Sequence, residues 1–247
     1  MQALPGDRRR LYLVRHAQTQ WNVEGRYQGR LDSALTQRGR READGLAQRF
    51  APLARRCFLL CSPLARAAET ARIIGETIPH RPVIDDRLVE LAYGEWEGLI
   101  QHDVKRAWPA LLRAWKLYPP CVRFPGGESL GDLRRRVNDF LRDAVRYPIS
   151  VIAVTHDAFV RVAALEVTGQ GLETFRSVRL QTGSVTIFRP TDQGFVLERL
   201  GDVTHLACLE HPQHAAGESD TSARIVDNID PFRLESDSCS DQPSAFS

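Results

Sequence analysis

Three short apolar runs constrain the fold of this chain more than any other feature. Leu11-Tyr12-Leu13-Val14, Phe58-Leu59-Leu60-Cys61 and Val151-Ile152-Ala153-Val154 are each too short for a helix, and each runs directly into polar residues. Unbroken apolarity over four residues is what a strand covered on both faces requires, whereas a half-exposed strand would alternate. Between the runs the apolar spacing changes to helical: Ala43, Leu46, Ala47 and Phe50; then Leu64, Ala67, Ala68, Ala71 and Ile74; then Leu130, Leu133, Val137, Phe140, Leu141 and Ala144; and, after the third run, Phe159, Val160, Ala163 and Val167. Ser62-Pro63 reads as a helix start, with Ser as N-cap and Pro at the first helical position. Residues 82–85 suit a short edge strand, and Ser184 to Phe188 with Phe195 to Leu200 suit a closing hairpin. Strands alternating with helices predict an α/β fold: a single three-layer α/β/α domain with a mostly parallel sheet, over residues 1–210.

Composition shifts once, near Cys208. From His211 to Ser247 there are seven acidic residues against two Arg. Such a segment buries little apolar surface, so residues 211–247 are expected to be a flexible or loosely docked acidic tail. Its one apolar patch, Ile225-Val226 with Ile229 and Phe232, is the part able to dock. The whole chain carries a net charge of only +2, which argues against a polycation built for nucleic acid. Arg8-Arg9-Arg10 and Arg134-Arg135-Arg136 are therefore expected on solvated faces. No apolar stretch approaches a membrane span, and the apolar run after Arg10 is too short for a signal-peptide core. Five scattered cysteines read as reduced thiols rather than a zinc site or disulfides, which predicts a cytoplasmic protein.

In open α/β sheets ligands bind outside the carboxyl ends of the strands. Here those ends lead to Arg15-His16, to Ser62-Pro63 and then Arg66, to the loop holding Glu90, and to Thr155-His156-Asp157. Two His, two Arg and one Glu are thus delivered to one rim, although 140 positions separate His16 from His156. The set suits phosphoryl transfer. A neutral imidazole is a nucleophile near pH 7, positive groups stabilise the charge on the transferred group, and a carboxylic acid protonates the leaving oxygen. No carboxylate cluster has metal-ligand spacing, so neither metal nor other cofactor is expected.

The segment Arg15-His16-Ala17-Gln18-Thr19-Gln20-Trp21-Asn22 resembles the signature of the histidine phosphatase superfamily, the branch that includes cofactor-dependent phosphoglycerate mutases. Further blocks resemble it in order: Gln28-Gly29, Leu35-Thr36 with Gly39, Ser62-Pro63-Leu64 with Arg66-Ala67 and Glu69-Thr70, Glu90-Leu91 through Tyr93-Gly94-Glu95-Trp96-Glu97-Gly98, Pro125-Gly126-Gly127-Glu128-Ser129, and Val154-Thr155-His156-Asp157. The resemblance implies His16 as the phosphorylated nucleophile and Glu90 as proton donor. It implies Arg15, Arg66, His156 and Asn22 as the phosphate pocket, lined further by Gln28 and Gly29. Glu95 and Glu97 lie close enough to compete with Glu90 for the acid role. Ala17 stands where the family usually has Gly, so a strained or shifted pocket is one expectation.

The blocks resemble broad-specificity and α-ribazole-type phosphatases more than mutases. The implied activity is metal-independent hydrolysis of a small phosphate monoester, by a monomer or homodimer. The alternatives are a phosphoglycerate mutase and a non-catalytic phospho-ligand binding protein. Arg66 has a bland alternative, a surface salt bridge to Glu69 or Glu42. His205 reads as structural. Trp96, Trp108, Trp115 and Tyr118 read as packing of a helical insertion, with a substrate lid as the alternative.

Overall fold

A computed structural model describes residues 9–209 except Arg55 and His80, with Cys208 and Leu209 described by backbone alone. The predicted tail, with its Ile225 to Phe232 patch, lies outside the described residues. The elements in chain order are β1 (Leu11–Arg15), α1 (Gln20–Glu24), α2 (Gln37–Phe50), β2 (Cys57–Cys61), α3 (Ala65–Gly75), β3 (Val83–Ile84), α4 (Gln101–Ala107), α5 (Pro109–Leu117), α6 (Leu130–Ala144), β4 (Ser150–Thr155), α7 (Asp157–Thr168), β5 (Val185–Thr191) and β6 (Gly194–Asp202).

The six strands form one sheet in the order β3-β2-β4-β1-β5-β6. β3, β2, β4 and β1 run parallel, and β5 and β6 complete the sheet antiparallel. Two buried clusters explain the apolar runs. On one face Leu11, Leu13, Leu60, Val151 and Ala153 meet Phe140 of α6 and Phe159 of α7. On the other, Val14, Leu59, Cys61, Ile152 and Val154 meet Leu46 and Phe50 of α2 and Ala67, Ala71 and Ile74 of α3. Along the three apolar runs, successive residues enter opposite layers, so both faces favour apolar side chains. This is the expected three-layer α/β/α arrangement.

Several local expectations need correction. Helix α3 begins at Ala65 with Leu64 as N-cap, not at Ser62-Pro63. Its first amides are capped instead by Asp32, whose carboxylate accepts from Ala65 N at 2.9 Å and Arg66 N at 3.4 Å. A carboxylate from another segment satisfies the donors that Ser62 was expected to take. The edge strand is only Val83–Ile84, with both side chains mostly exposed. The Arg134 to Arg136 run is not uniformly solvated, because Arg136 turns inward to the loop before Glu90. The insertion between Leu99 and Phe124 is helical, as α4 and α5. Trp96 and Trp115 stack edge-on against Phe124 inside the core and Trp108 packs beside it, which is the packing role. Tyr118 is exposed instead.

Candidate active site

Register puts the site together. Arg15 lies opposite Thr155, and Cys61 lies opposite Val154. The next residue on each parallel strand therefore leaves the same rim. The ladder continues one step, with His16 N donating to Thr155 O and Ser62 N to Val154 O, each at 2.9 Å. Adjacent strands lie about 4.8 Å apart, and the rings of His16 and His156 meet edge-on with centroids 5.2 Å apart.

His16 is buried and its protonation is determined by its partners. Nδ1 lies 2.8 Å from the Ala17 carbonyl, which only accepts, so the proton sits on Nδ1 and the lone pair on Nε2. Arg66 Nε donates to that lone pair at 3.2 Å. A second ring proton would oppose the guanidinium N–H. Burial, then Arg66 and Arg15, hold the imidazole well below the usual histidine range. The Ala17 methyl is accommodated in a small cluster with Leu35, Ala43 and Ile73.

The guanidinium of Arg66 is completely buried and held on three sides. Nη1 donates to Leu31 O at 2.7 Å and Asp32 Oδ1 at 2.9 Å, and Nη2 donates to Gly29 O at 2.7 Å. The surface pairing with Glu69 or Glu42 does not form: Glu69 pairs with Arg40 and Arg72, and Glu42 with Arg38. Arg15 is anchored by Nη1, which donates to Leu180 O at 2.6 Å and lies 3.1 Å from Asp157 Oδ1. Its Nε is buried with no hydrogen-bond partner among the described residues. Gly29 has φ +54°, and a Cβ there would lie 2.1 Å from Glu97 Oε1, so only glycine fits.

Asn22 and Gln28 are oriented by Thr19, a fully buried residue that sequence reasoning missed. Thr19 N donates to Asn22 Oδ1 at 3.0 Å, and its hydroxyl lies 2.9 Å from Asn22 Oδ1 and 3.1 Å from Gln28 Oε1. With both amide oxygens so engaged, the NH₂ groups remain as donors. The signal for Thr19 was present: it is the N-cap of α1 in a capping box with Asn22 three positions on.

Glu90 is buried, and Oε1 accepts from Leu91 N at 2.9 Å and Ala158 N at 3.2 Å. Burial first, then the neighbouring Asp157, push its carboxyl above the usual range. Its loop is tied from three sides. Arg136 Nη1 donates to Arg87 O at 3.0 Å and Val89 O at 2.5 Å, Glu128 accepts from Ala92 N at 3.0 Å, and Glu97 accepts from Tyr93 N and Arg30 N at 3.0 Å each. Glu97 is thus committed to backbone amides and Glu95 is exposed. Neither lines the cavity that Glu90 lines.

That cavity, about 360 Å³, is bounded by Arg15, His16, Asn22, Gln28, Gly29, Arg66 and Glu90, so seven of the eight residues singled out from the sequence share it. His156, the eighth, is fully buried beside the cavity, its ring edge-on to that of His16. Trp21, Arg26, Tyr27, Tyr93, Asp157 and Arg179 are among the other residues of its wall. His205 is elsewhere, its Nε2 3.0 Å from the Gly183 carbonyl, and burial pushes it down to about 4. Among the described residues no three His, Cys, Asp or Glu side chains converge as a metal-ligating group.

A family profile described as "Histidine phosphatase superfamily (branch 1)" matches residues 11–203, which takes in this whole rim. The chain belongs to the histidine phosphatase superfamily. Among its members, "Phosphoserine phosphatase 1" of Hydrogenobacter thermophilus is 33% identical over 201 residues, covering 80% of this chain and 94% of that protein. A "Probable phosphoglycerate mutase GpmB" of Enterobacter sp. is 32% identical over 203 residues, covering 79% and 94%. The solved structure of Bacillus stearothermophilus YhfR superposes with a TM-score of 0.75 at 30% identity, covering 80% of this chain and 98% of that one. With this rim and relatives named as phosphatases, the chain is a phosphoric monoester hydrolase.

The two site histidines tie stability to pH. His16 and His156 are both held below the ordinary histidine value near 6.5 in the folded chain. The unfolded chain therefore binds more protons once the pH falls through about 6.5, and stability falls with it. The melting temperature should drop progressively below pH 6.5, and a His156→Asn variant should show a shallower decline in that window. An identical slope in both would remove His156 from this linkage.

Proposed function

We propose that the chain hydrolyses small soluble phosphomonoesters by two transfers at His16. In the first, the Nε2 lone pair attacks phosphorus, the ester P–O bond breaks, and Glu90 gives its proton to the leaving alkoxide. In the second, water attacks the phosphohistidine, the Glu90 carboxylate takes the water's proton, and the N–P bond breaks to restore neutral His16. Charge on the transferred group falls to Arg15, Arg66, His156 and the amides of Asn22 and Gln28, held before substrate arrives and so needing little reorganisation. The observation that carries this reading is the pair of contacts at His16: Nδ1 lies 2.8 Å from Ala17 O, which only accepts, and Nε2 lies 3.2 Å from Arg66 Nε, which only donates, so the lone pair is on Nε2.

The non-catalytic alternative is disfavoured by a buried Glu90, its carboxyl raised above the usual range, lining the same cavity as His16. The mutase reading has the similarity to the GpmB protein in its favour. Arg26 and Arg179 line the cavity, and a phosphoserine phosphatase is among the relatives, so acidic phosphoesters are the substrates to test first. We place the protein in the cytoplasm. No helix among the described residues is long and apolar enough to cross a membrane, and Cys57, Cys61 and Cys121 are free thiols.

One assay separates the readings. Phosphate release is measured from phosphoserine, 3-phosphoglycerate and p-nitrophenyl phosphate, with and without EDTA and with and without bisphosphoglycerate. We expect release that survives EDTA and does not need bisphosphoglycerate. Conversion of 3-phosphoglycerate to its isomer without phosphate release would establish the mutase. Loss in EDTA restored by a divalent cation would overturn the metal-independent mechanism.

A further inference from the structure

We propose that the Ser62 hydroxyl fixes which nitrogen of His156 carries the ring proton, and so makes His156 a hydrogen-bond donor to the transferred phosphoryl group. This rests on the phosphohistidine reading for its catalytic consequence, though not for the tautomer itself. Ser62 is fully buried at the end of β2, and its Oγ lies 2.8 Å from His156 Nε2. The same Oγ accepts from Leu64 N at 3.3 Å. The other ring nitrogen, His156 Nδ1, is buried with no hydrogen-bond partner among the described residues.

A neutral imidazole carries one N–H, so two arrangements compete. If Nε2 carries the proton and donates to Oγ, the serine hydroxyl must donate elsewhere, and no acceptor for it exists among the described residues. The Nδ1 lone pair is then orphaned as well. If Ser62 O–H donates to Nε2, the hydroxyl proton, the Nε2 lone pair and Leu64 N–H are all satisfied. Only Nδ1–H is left without a partner. Each unsatisfied buried polar group is costly, so the second arrangement wins. Burial, with the positive charge of Arg66, keeps His156 neutral, so the choice of tautomer matters. The remaining donor belongs to a ring in edge contact with the His16 ring, on which the phosphoryl group is transferred. In the opposite tautomer a lone pair would face phosphoryl oxygens and repel them.

Ser62 is thus a positioning residue acting through His156. The chain order hides this, because Ser62 and His156 are 94 positions apart and Ser62-Pro63 reads locally as a helix cap.

The test begins with long-range ¹⁵N–¹H spectra of the full-length wild-type protein near pH 7.5, with the His156 signals assigned by their absence in His156→Asn. We expect Nδ1 protonated and Nε2 bare. A wild-type ring protonated at Nε2 overturns the proposal outright, whatever the variants do. In Ser62→Ala we expect the tautomer to shift toward Nε2–H. Phosphorylation of the enzyme in single turnovers should slow by about 10²–10³, as when one oxyanion donor is lost. Ser62→Thr, which keeps the hydroxyl, should restore both the spectrum and most of the rate. Ser62→Ala combined with His156→Ala should be no slower than His156→Ala alone, because both changes remove one interaction. Additive losses, or a slowed Ser62→Ala with an unchanged tautomer, would reduce Ser62 to a structural role. Should wild type itself form no phosphohistidine, the functional reading fails while the spectrum still decides the tautomer.

Discussion

Replacing His16 by alanine is expected to abolish turnover, by on the order of 10⁶-fold, the scale seen when an enzyme loses its nucleophile. No other group is placed to take over. The Nε2 of His156 is engaged by Ser62, and the nucleophilic lone pair that Arg66 faces belongs to His16 Nε2. The decisive measurement is rapid acid-free quenching with ³²P-labelled substrate. Wild type should accumulate an acid-labile, base-stable label, and the variant none. Equal labelling of His16→Ala would mean that another residue is phosphorylated. The substitution also leaves Arg66 Nε without its acceptor in a buried site, at about 1–3 kcal/mol. Thermal unfolding should accompany the assay, so that inactivity is read in folded protein.

Glu90→Gln should produce the second-largest loss, and the loss should depend on the leaving group. An alkyl alkoxide is a strong base and needs a proton as the P–O bond breaks. p-Nitrophenolate is a weak base and departs with little help. The amide preserves the shape and an oxygen for Leu91 N and Ala158 N, whose bonds at 2.9 and 3.2 Å hold the side chain in place. What it removes is the ability to give a proton, in a site where burial and Asp157 raise the native carboxyl above the usual range. Phosphorylation of the enzyme by alkyl phosphates should slow by about 10²–10⁴, the usual range for general acid catalysis. The p-nitrophenyl ester should lose much less in that step. Single turnovers must follow dephosphorylation separately, because the same carboxylate is proposed to activate water. Equal losses for both substrate types would show that Glu90 only positions the phosphate or holds its loop. Glu95 would then be the acid to examine, since Glu97 is bound to Tyr93 N and Arg30 N.

Much of the architecture was legible because it is written in short-range pattern. Three apolar runs located β1, β2 and β4, since strands buried on both faces can carry nothing else. Helical spacing located α2, α3, α6 and α7. The edge strand and the hairpin were legible only in outline, because exposed strands accept polar residues and lose the pattern. That the catalytic candidates follow the strands was also legible, as seven of the eight line one cavity. The N-terminus of α3 was misread for the same local reason: Ser-Pro before an apolar periodicity is a sound cap, but Asp32 was already there.

By itself, then, the sequence determined the three layers, the parallel core of the sheet, and the arrival of Arg15, His16, Arg66, Glu90 and His156 at one rim. Those follow from burial and from interactions between residues a few positions apart. Tertiary structure alone decided what each polar group is bonded to. It gave Arg66 to Asp32 rather than Glu69, turned Arg136 toward the Glu90 loop rather than to solvent, and set Ser62 against His156 rather than on a helix. The reason is physical. An apolar side chain needs only to be out of water, so its periodicity reports its place. A buried hydrogen bond needs one partner at about 3 Å in the right direction, and dozens of polar side chains offer themselves until the folded chain leaves a single one in reach.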